Sequence, residues 1–185
     1  MYKLKSSKSV YKTQCMEVCE DSVTDKERGT VGMFNRINVD DAATIVPIFK
    51  DGSLLMVEIY RHAVSTNLLE LPGGLIRENA EGEELEQEQQ ASNTAKRELL
   101  EETGYTCDSI QYINWFYTWP GRATQRNFVF IAKGLKKLQL KQRLEEFEYI
   151  KICKIDRAQV MRQLKNGRIK SAVTISALLY CYFVI

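Results

Sequence analysis

The distribution of apolar and polar positions along the chain predicts strands first. Residues 8 to 39 carry two strand-like stretches, SVYKTQCMEVCED and GTVGMFNRINVD, separated by an acidic turn at Asp25 to Arg28. AATIVPIF and LLMVEIYR then flank KDGS, which predicts a hairpin. LLELPGGLI is a short apolar strand running into Pro72, Gly73 and Gly74. From Glu81 the pattern turns polar and helix-forming, EGEELEQEQQASNTAKRELLEET, and Gly104 ends it. YTCDSIQYINWFYTWPG and RNFVFIAKGL predict further strands, with Trp119-Pro120-Gly121 as a turn. EEFEYIKICKI is another strand, entered through acids, and DRAQVMRQLKNGRIK and SAVTISALLYCYFVI are two closing helices joined near Gly167. Strands, one central helix, strands, then helices describe an α+β chain, an α/β/α sandwich.

Composition narrows this picture. A chain of 185 residues is most simply one domain with a real core, and 44% hydrophobic with 27% charged residues is ordinary globular usage. A net charge of +2 gives no electrostatic reason to expect a nucleic-acid or membrane partner. The longest apolar stretch, ISALLYCYFVI, falls short of the roughly 18 residues of a membrane span. MYKLKSSKSVYK lacks the apolar core of a signal peptide, so the expected location is the cytoplasm. The five cysteines are odd in number and form no CxxC pair, which speaks for reduced thiols rather than a disulfide framework or zinc site. His62 is the only histidine, and it is expected to be structural. Chemistry here falls to carboxylates and an oxygen-loving metal.

The nonamer RELLEETGY places Glu98, Glu101 and Glu102 on one helix face, since offsets of three and four residues share a face. Such an acidic stripe needs a counter-charge, supplied either by water and Arg97 or by a bound cation. The glycines of LPGG let backbone come close to whatever sits beside them. A main-chain carbonyl at that turn and three carboxylates make an all-oxygen donor set, which suits Mg²⁺ or Mn²⁺ with substrate phosphates.

These residues resemble the signature of the Nudix hydrolases. Arg97-Glu98-Leu99-Leu100-Glu101-Glu102-Thr103-Gly104 matches its C-terminal half, with Tyr105 at the last apolar position and Gly74 as the leading glycine. The interval between Gly74 and Arg97 is longer than the signature's, through an insertion within EGEELEQEQQASNT. The signature's first glutamate therefore falls on Ala80, leaving Glu81, Glu83 and Glu84 as alternatives. FKDGSLLMVEIYRHAV, LLELPGGLI, Pro120 and LKNGRIKSAVTISALL extend the resemblance, over roughly residues 10 to 180, to the members that hydrolyse ADP-ribose and related nucleoside diphosphate sugars.

The resemblance implies a central mixed sheet between helices and a division into an N-terminal strand region, residues 1–40, and a hydrolase domain, 41–185. It implies Glu98 and Glu102 as metal ligands with Glu101 completing the cluster, the Gly73 carbonyl as main-chain ligand, and Arg97 orienting the glutamates. Arg61 would meet phosphate or ribose, with Gly74 and Pro120 also at the substrate. A glutamate late in the chain would be the general base, and alternation along EFEYI puts Glu146 and Glu148 on one face, with Glu145 nearby. Trp115, Phe116, Tyr117 and Trp119 are expected mostly in the core. The expected reaction is hydrolysis of ADP-ribose to AMP and ribose 5-phosphate. GDP-mannose, a nucleoside triphosphate, or nucleotide sensing without turnover are the alternatives. The resemblance also implies a homodimer in which the strands of residues 1–40 cross to the partner.

Overall fold

The structure, a computed structural model, describes residues 1–77, 84–138, 142 and 149–184, with the backbone alone at Glu84, Phe183 and Val184. The chain forms two compact units, residues 1–41 with 117–126, and residues 42–116 with 127–185.

The first unit is an antiparallel sheet of β1 (Tyr2–Lys12), β2 (Met16–Asp25) and β3 (Val31–Val39). Two strands were expected up to residue 39; there are three, because the first stretch is folded in the middle. The Thr13 hydroxyl accepts hydrogen bonds from the Cys15 and Met16 amides, both at 3.2 Å, and the Thr13 amide donates to the Met16 carbonyl at 2.9 Å. A threonine turn of this kind carries no glycine or proline, so it leaves little trace in the sequence. Residues 118–125 are stitched to β3: the Ile37 amide donates to the Arg122 carbonyl at 2.8 Å, and the Thr124 amide to the Ile37 carbonyl at 3.0 Å.

The second unit is a sandwich. One mixed sheet has the order β7 (Gly73–Leu75), β4 (Ala42–Pro47), β10 (Arg126–Lys133), β9 (Ser109–Tyr117), with β4 and β10 parallel. A second, antiparallel sheet has the order β12 (Ile150–Ile155), β5 (Leu54–Arg61), β6 (Thr66–Glu70). The short strands β8 (Tyr105–Thr106) and β11 (Lys136–Lys137) pair separately. Alternate residues of β4, β5 and β10 go to opposite layers, as a pleated strand requires. Val46, Met56 and Val129 pack with Val160, Ala177 and Leu178 of α2 (Arg157–Lys165) and α3 (Ala172–Val184). Ile45, Leu55 and Phe128 pack with Ala91, Ala95 and Leu99 of α1 (Glu84–Thr103). Burial on both faces explains why these strands are continuous apolar runs rather than alternating ones.

The expected hairpin is corrected by this topology. Its turn does form, with the Phe49 amide bonded to the Ser53 carbonyl at 2.9 Å and Gly52 at φ 80. After a single bridge between Ile48 and Leu54, however, β4 and β5 enter different sheets. Each is central in its own sheet, so both edges are already taken by other partners. Among the described residues no helix is long and apolar enough to cross a membrane.

The first unit is held by a buried charge. Asp21, 7% exposed on β2, accepts from Arg36 Nε at 2.7 Å and from the Ser7 hydroxyl at 2.6 Å. The Arg36 guanidinium, then Ser7, hold its carboxyl below the usual carboxylate range. A lowered folded-state pKa means the stabilisation is complete above the unfolded value of about 3.9 and lost as pH falls through the folded value. Asp21→Asn is expected to lower Tm at pH 7, with the gap to wild type closing below about pH 3.9 in thermal melts.

Candidate metal and phosphate site

α1 packs on the mixed sheet through a narrow apolar stripe. Ala91, Ala95 and Leu99, spaced four residues apart, are fully buried against it. Glu98 and Glu102 flank this stripe, so they are drawn in with it. Burying Leu99 contributes roughly 2 kcal/mol, which helps offset the cost of a buried carboxylate. Glu102 is 6% exposed, so it does not belong to a solvated face. The Thr103 hydroxyl donates to the Leu99 carbonyl, and Gly104, at φ 71, closes the helix with its amide on the Leu100 carbonyl at 2.8 Å. The helix begins at Glu84 among the described residues, and Glu81 and Glu83 lie outside them.

β7 supplies the opposing wall. Its register against β4 pairs Gly73 with Thr44 and Gly74 with Ala43. A Cβ at Gly73 would collide with the Ala43 carbonyl, so a side chain there is excluded by backbone. A Cβ at Gly74 would instead collide with the Glu98 carboxylate. The two glycines thus have different causes: the first lets the strands pair closely, the second leaves a cradle filled by Glu98. The Gly73 amide donates to Glu102 Oε2 at 3.2 Å.

Arg97 bridges the two outer acids, with Nη1 donating to Glu101 at 2.6 Å and Nη2 to Glu98 at 2.7 Å. Burial opposes its charge, but Glu98 and Glu101 outweigh that and hold the guanidinium above its ordinary pKa. The all-oxygen set of Glu98, Glu101, Glu102 and the β7 backbone fits a hard divalent cation by donor chemistry. Among the described residues no three acidic, histidine or cysteine side chains are grouped as a ready-made metal cage, and Arg97 and the Gly73 amide hold these oxygens.

The other expected residues are distributed as follows. Arg61, at the end of β5, forks onto Glu70 of β6, with Nη2 to Oε2 at 2.9 Å and Nε to Oε1 at 3.3 Å. Glu70, 8% exposed, was not singled out from the sequence, although it stands in LLELPGG two positions before the proline. His62 is exposed in a short 3-10 turn, His62–Val64. Pro120 lies in the first unit, in a turn where the Arg122 and Ala123 amides bond to the Trp119 carbonyl. Trp115 and Phe116 pack on the core, Phe116 stacking on Tyr180 at 6.2 Å. Tyr117 and Trp119 correct the core expectation, being 50% and 56% exposed. Glu145, Glu146 and Glu148 lie outside the described residues.

Comparison with known proteins places this geometry. Residues 39–176 match the NUDIX domain family. The chain is 30% identical over 139 residues to the ADP-ribose pyrophosphatase of Bacillus subtilis (strain 168), spanning 75% of this chain and 70% of that protein. It has the same identity and the same coverage against the methanol dehydrogenase activator of Bacillus methanolicus. A solved ADP compounds hydrolase superposes with a TM-score of 0.81 at 20% identity, covering 98% of this chain and 92% of the other, and so shares its fold. With the signature glutamates on α1 facing a glycine strand, and the family match running through both sheets, the chain belongs to the Nudix family and is a Nudix pyrophosphohydrolase.

Proposed function

We propose that this protein hydrolyses the diphosphate of ADP-ribose, with Mg²⁺ or Mn²⁺, to AMP and ribose 5-phosphate. The observation that carries this reading is the seating of Glu98 and Glu102 against the side-chain-free strand at Gly73 and Gly74. The similarity to an ADP-ribose pyrophosphatase supports that choice of substrate.

Glu98, Glu102 and Glu101, with the Gly73 carbonyl, would hold the metal. When bound, such a cation neutralises phosphoryl oxygens and lowers the pKa of water. Arg97 keeps Glu98 and Glu101 aligned by its two hydrogen bonds. Arg61, anchored on Glu70, presents a guanidinium to phosphate or ribose, and the fork suits that task. Gly74 would line the substrate. Glu146 or Glu148 takes the proton from the attacking water, whose oxygen bonds to one phosphorus as the bridging P–O bond breaks and the second phosphate leaves. Free thiols at all five cysteines suit a reducing, cytoplasmic setting.

We further propose a homodimer in which residues 1–40 reach the partner and help cover the nucleotide. Tyr2, Val10, Tyr11, Val31, Met33 and Phe34 are exposed on the first unit, and a second copy would remove them from water.

Glu102→Gln is expected to lower kcat about 100-fold or more at saturating Mg²⁺ while far-UV circular dichroism stays native. Wild-type turnover would refute the site.

The two glycines should separate by mechanism. Gly74→Ala displaces only a flexible carboxylate, so Tm is retained and kcat falls by about 100-fold. Gly73→Ala strikes backbone and should destabilise the fold by about 1–3 kcal/mol in denaturant titrations.

Sedimentation is expected to show a species near twice the 21.4 kDa chain mass. Removing residues 1–40 should weaken both association and substrate affinity; a folded, truncated monomer with unchanged KM would rule out the covering role.

A further inference from the structure

A recess of about 220 Å³ opens on the side of the sandwich away from the acidic helix, among β4, the turn at Gly52, α2 and α3. Val46, Leu54, Leu178 and Cys181 wall it, none more than 5% exposed. Alternation along β4 sends Val46 to this side, while Ala43 and Ile45 face α1. Burial pushes the Cys181 thiol up to about 12, as apolar surroundings require. Lys133 and Arg157 line the same space but are exposed, so two cations stand at its rim. Neither makes an ion pair among the described residues. The acids next to the lining residues in sequence are already engaged, Asp51 by Lys154 Nζ at 2.7 Å and Asp156 by the Gln159 amide at 2.8 Å. Arg157 lies over the Tyr182 ring, 4.7 Å from its centroid. The Tyr182 hydroxyl is buried and has no hydrogen-bond partner among the described residues.

We propose that this recess binds a small monocarboxylate with an apolar body, its charged end at the rim beside Lys133 and Arg157. Size, polarity and charge each narrow the class. An apolar cavity of about 150 Å³ accepts benzene, so this one takes a body of roughly nine heavy atoms. Pockets for larger ligands run from about 300 to 1,000 Å³, which sets a nucleotide aside. Inorganic phosphate has no apolar part to cover the four buried walls. A neutral hydrocarbon offers no acceptor to two cations, and an amine is repelled by them. A carboxylate answers both halves: its tail removes apolar wall from water, and its oxygens accept from Lys133 and Arg157. The site is independent of the hydrolytic reading, because none of these residues belongs to the acidic cluster or to β7.

The test titrates the full-length protein with octanoate, octylamine and inorganic phosphate by calorimetry, with methyl NMR shifts to place the ligand. Octanoate is expected to bind about 10-fold or more tightly than either comparator. It should shift the methyl signals of Val46, Leu54 and Leu178 and leave those of Leu99 in place. Lys133→Glu combined with Arg157→Glu should weaken octanoate by about 10-fold or more and turn the preference toward octylamine. Lys133 is exposed, and an acid is favoured in the first turn of a helix, so thermal melts should show the double variant folded. Its KM and kcat for ADP-ribose should match wild type. Equal affinity of the wild-type protein for octanoate and either comparator overturns the proposal. So does unchanged octanoate affinity in the double variant, or shifts confined to the exposed apolar residues of the first unit. A raised KM in the folded double variant would give the two cations to the substrate instead, which also overturns it.

Discussion

The closeness of α1 to the edge of the mixed sheet is the constraint on which the site depends. Two alanines on the helix and two glycines on β7 remove the side chains that would hold these elements apart. Interiors are packed so densely that a single methyl group changes what can be accommodated. At Gly74 the volume of that methyl is occupied by a carboxylate. Packing and chemistry are therefore one feature here: the space that lets the helix dock is the space that receives Glu98.

Electrostatics follows from this. Drawing Glu98 and Glu102 into the interface places negative charge where water cannot fully screen it, and such charge must be met by hydrogen bonds or a counter-ion. Arg97 meets Glu98 and Glu101 from outside, and a β7 amide meets Glu102 from within. The arginine is partly exposed on the helix surface. Arg61 and Glu70 repeat the device on the antiparallel sheet, where a buried acid fixes a half-exposed arginine.

The first unit is built on different terms. Its β1 strand is exposed along its length, and a polar network of Ser7, Asp21, Arg36 and Asn38 lies between its strands. Much of its cohesion is thus electrostatic, while the sandwich is held by two apolar layers on either side of its sheets.

Local signals determined a good deal of this protein by themselves. The offsets of Glu98, Glu101 and Glu102, the stop at Gly104 and the glycine pair before the helix depend on neighbours within a few turns, so they are legible without a fold. The closing helices are legible for the same reason, with Asp156 capping α2 by accepting from the Gln159 amide at 2.8 Å. Family signature residues added the mixed sheet and the sandwich. Tertiary structure alone decided how strands were shared. The tight turn at Gly52 predicts β4 beside β5, yet parallel pairing with β10, Ala42 against Asn127, takes one edge of β4 and β7 takes the other. The Thr13 turn was invisible because a hydroxyl, rather than a glycine or proline, makes it. The Arg61–Glu70 pair was invisible because it joins strands whose adjacency arises only when the sheets assemble. Short-range geometry is written in residue spacing; competition between distant partners for the same strand edge is settled only in the folded chain.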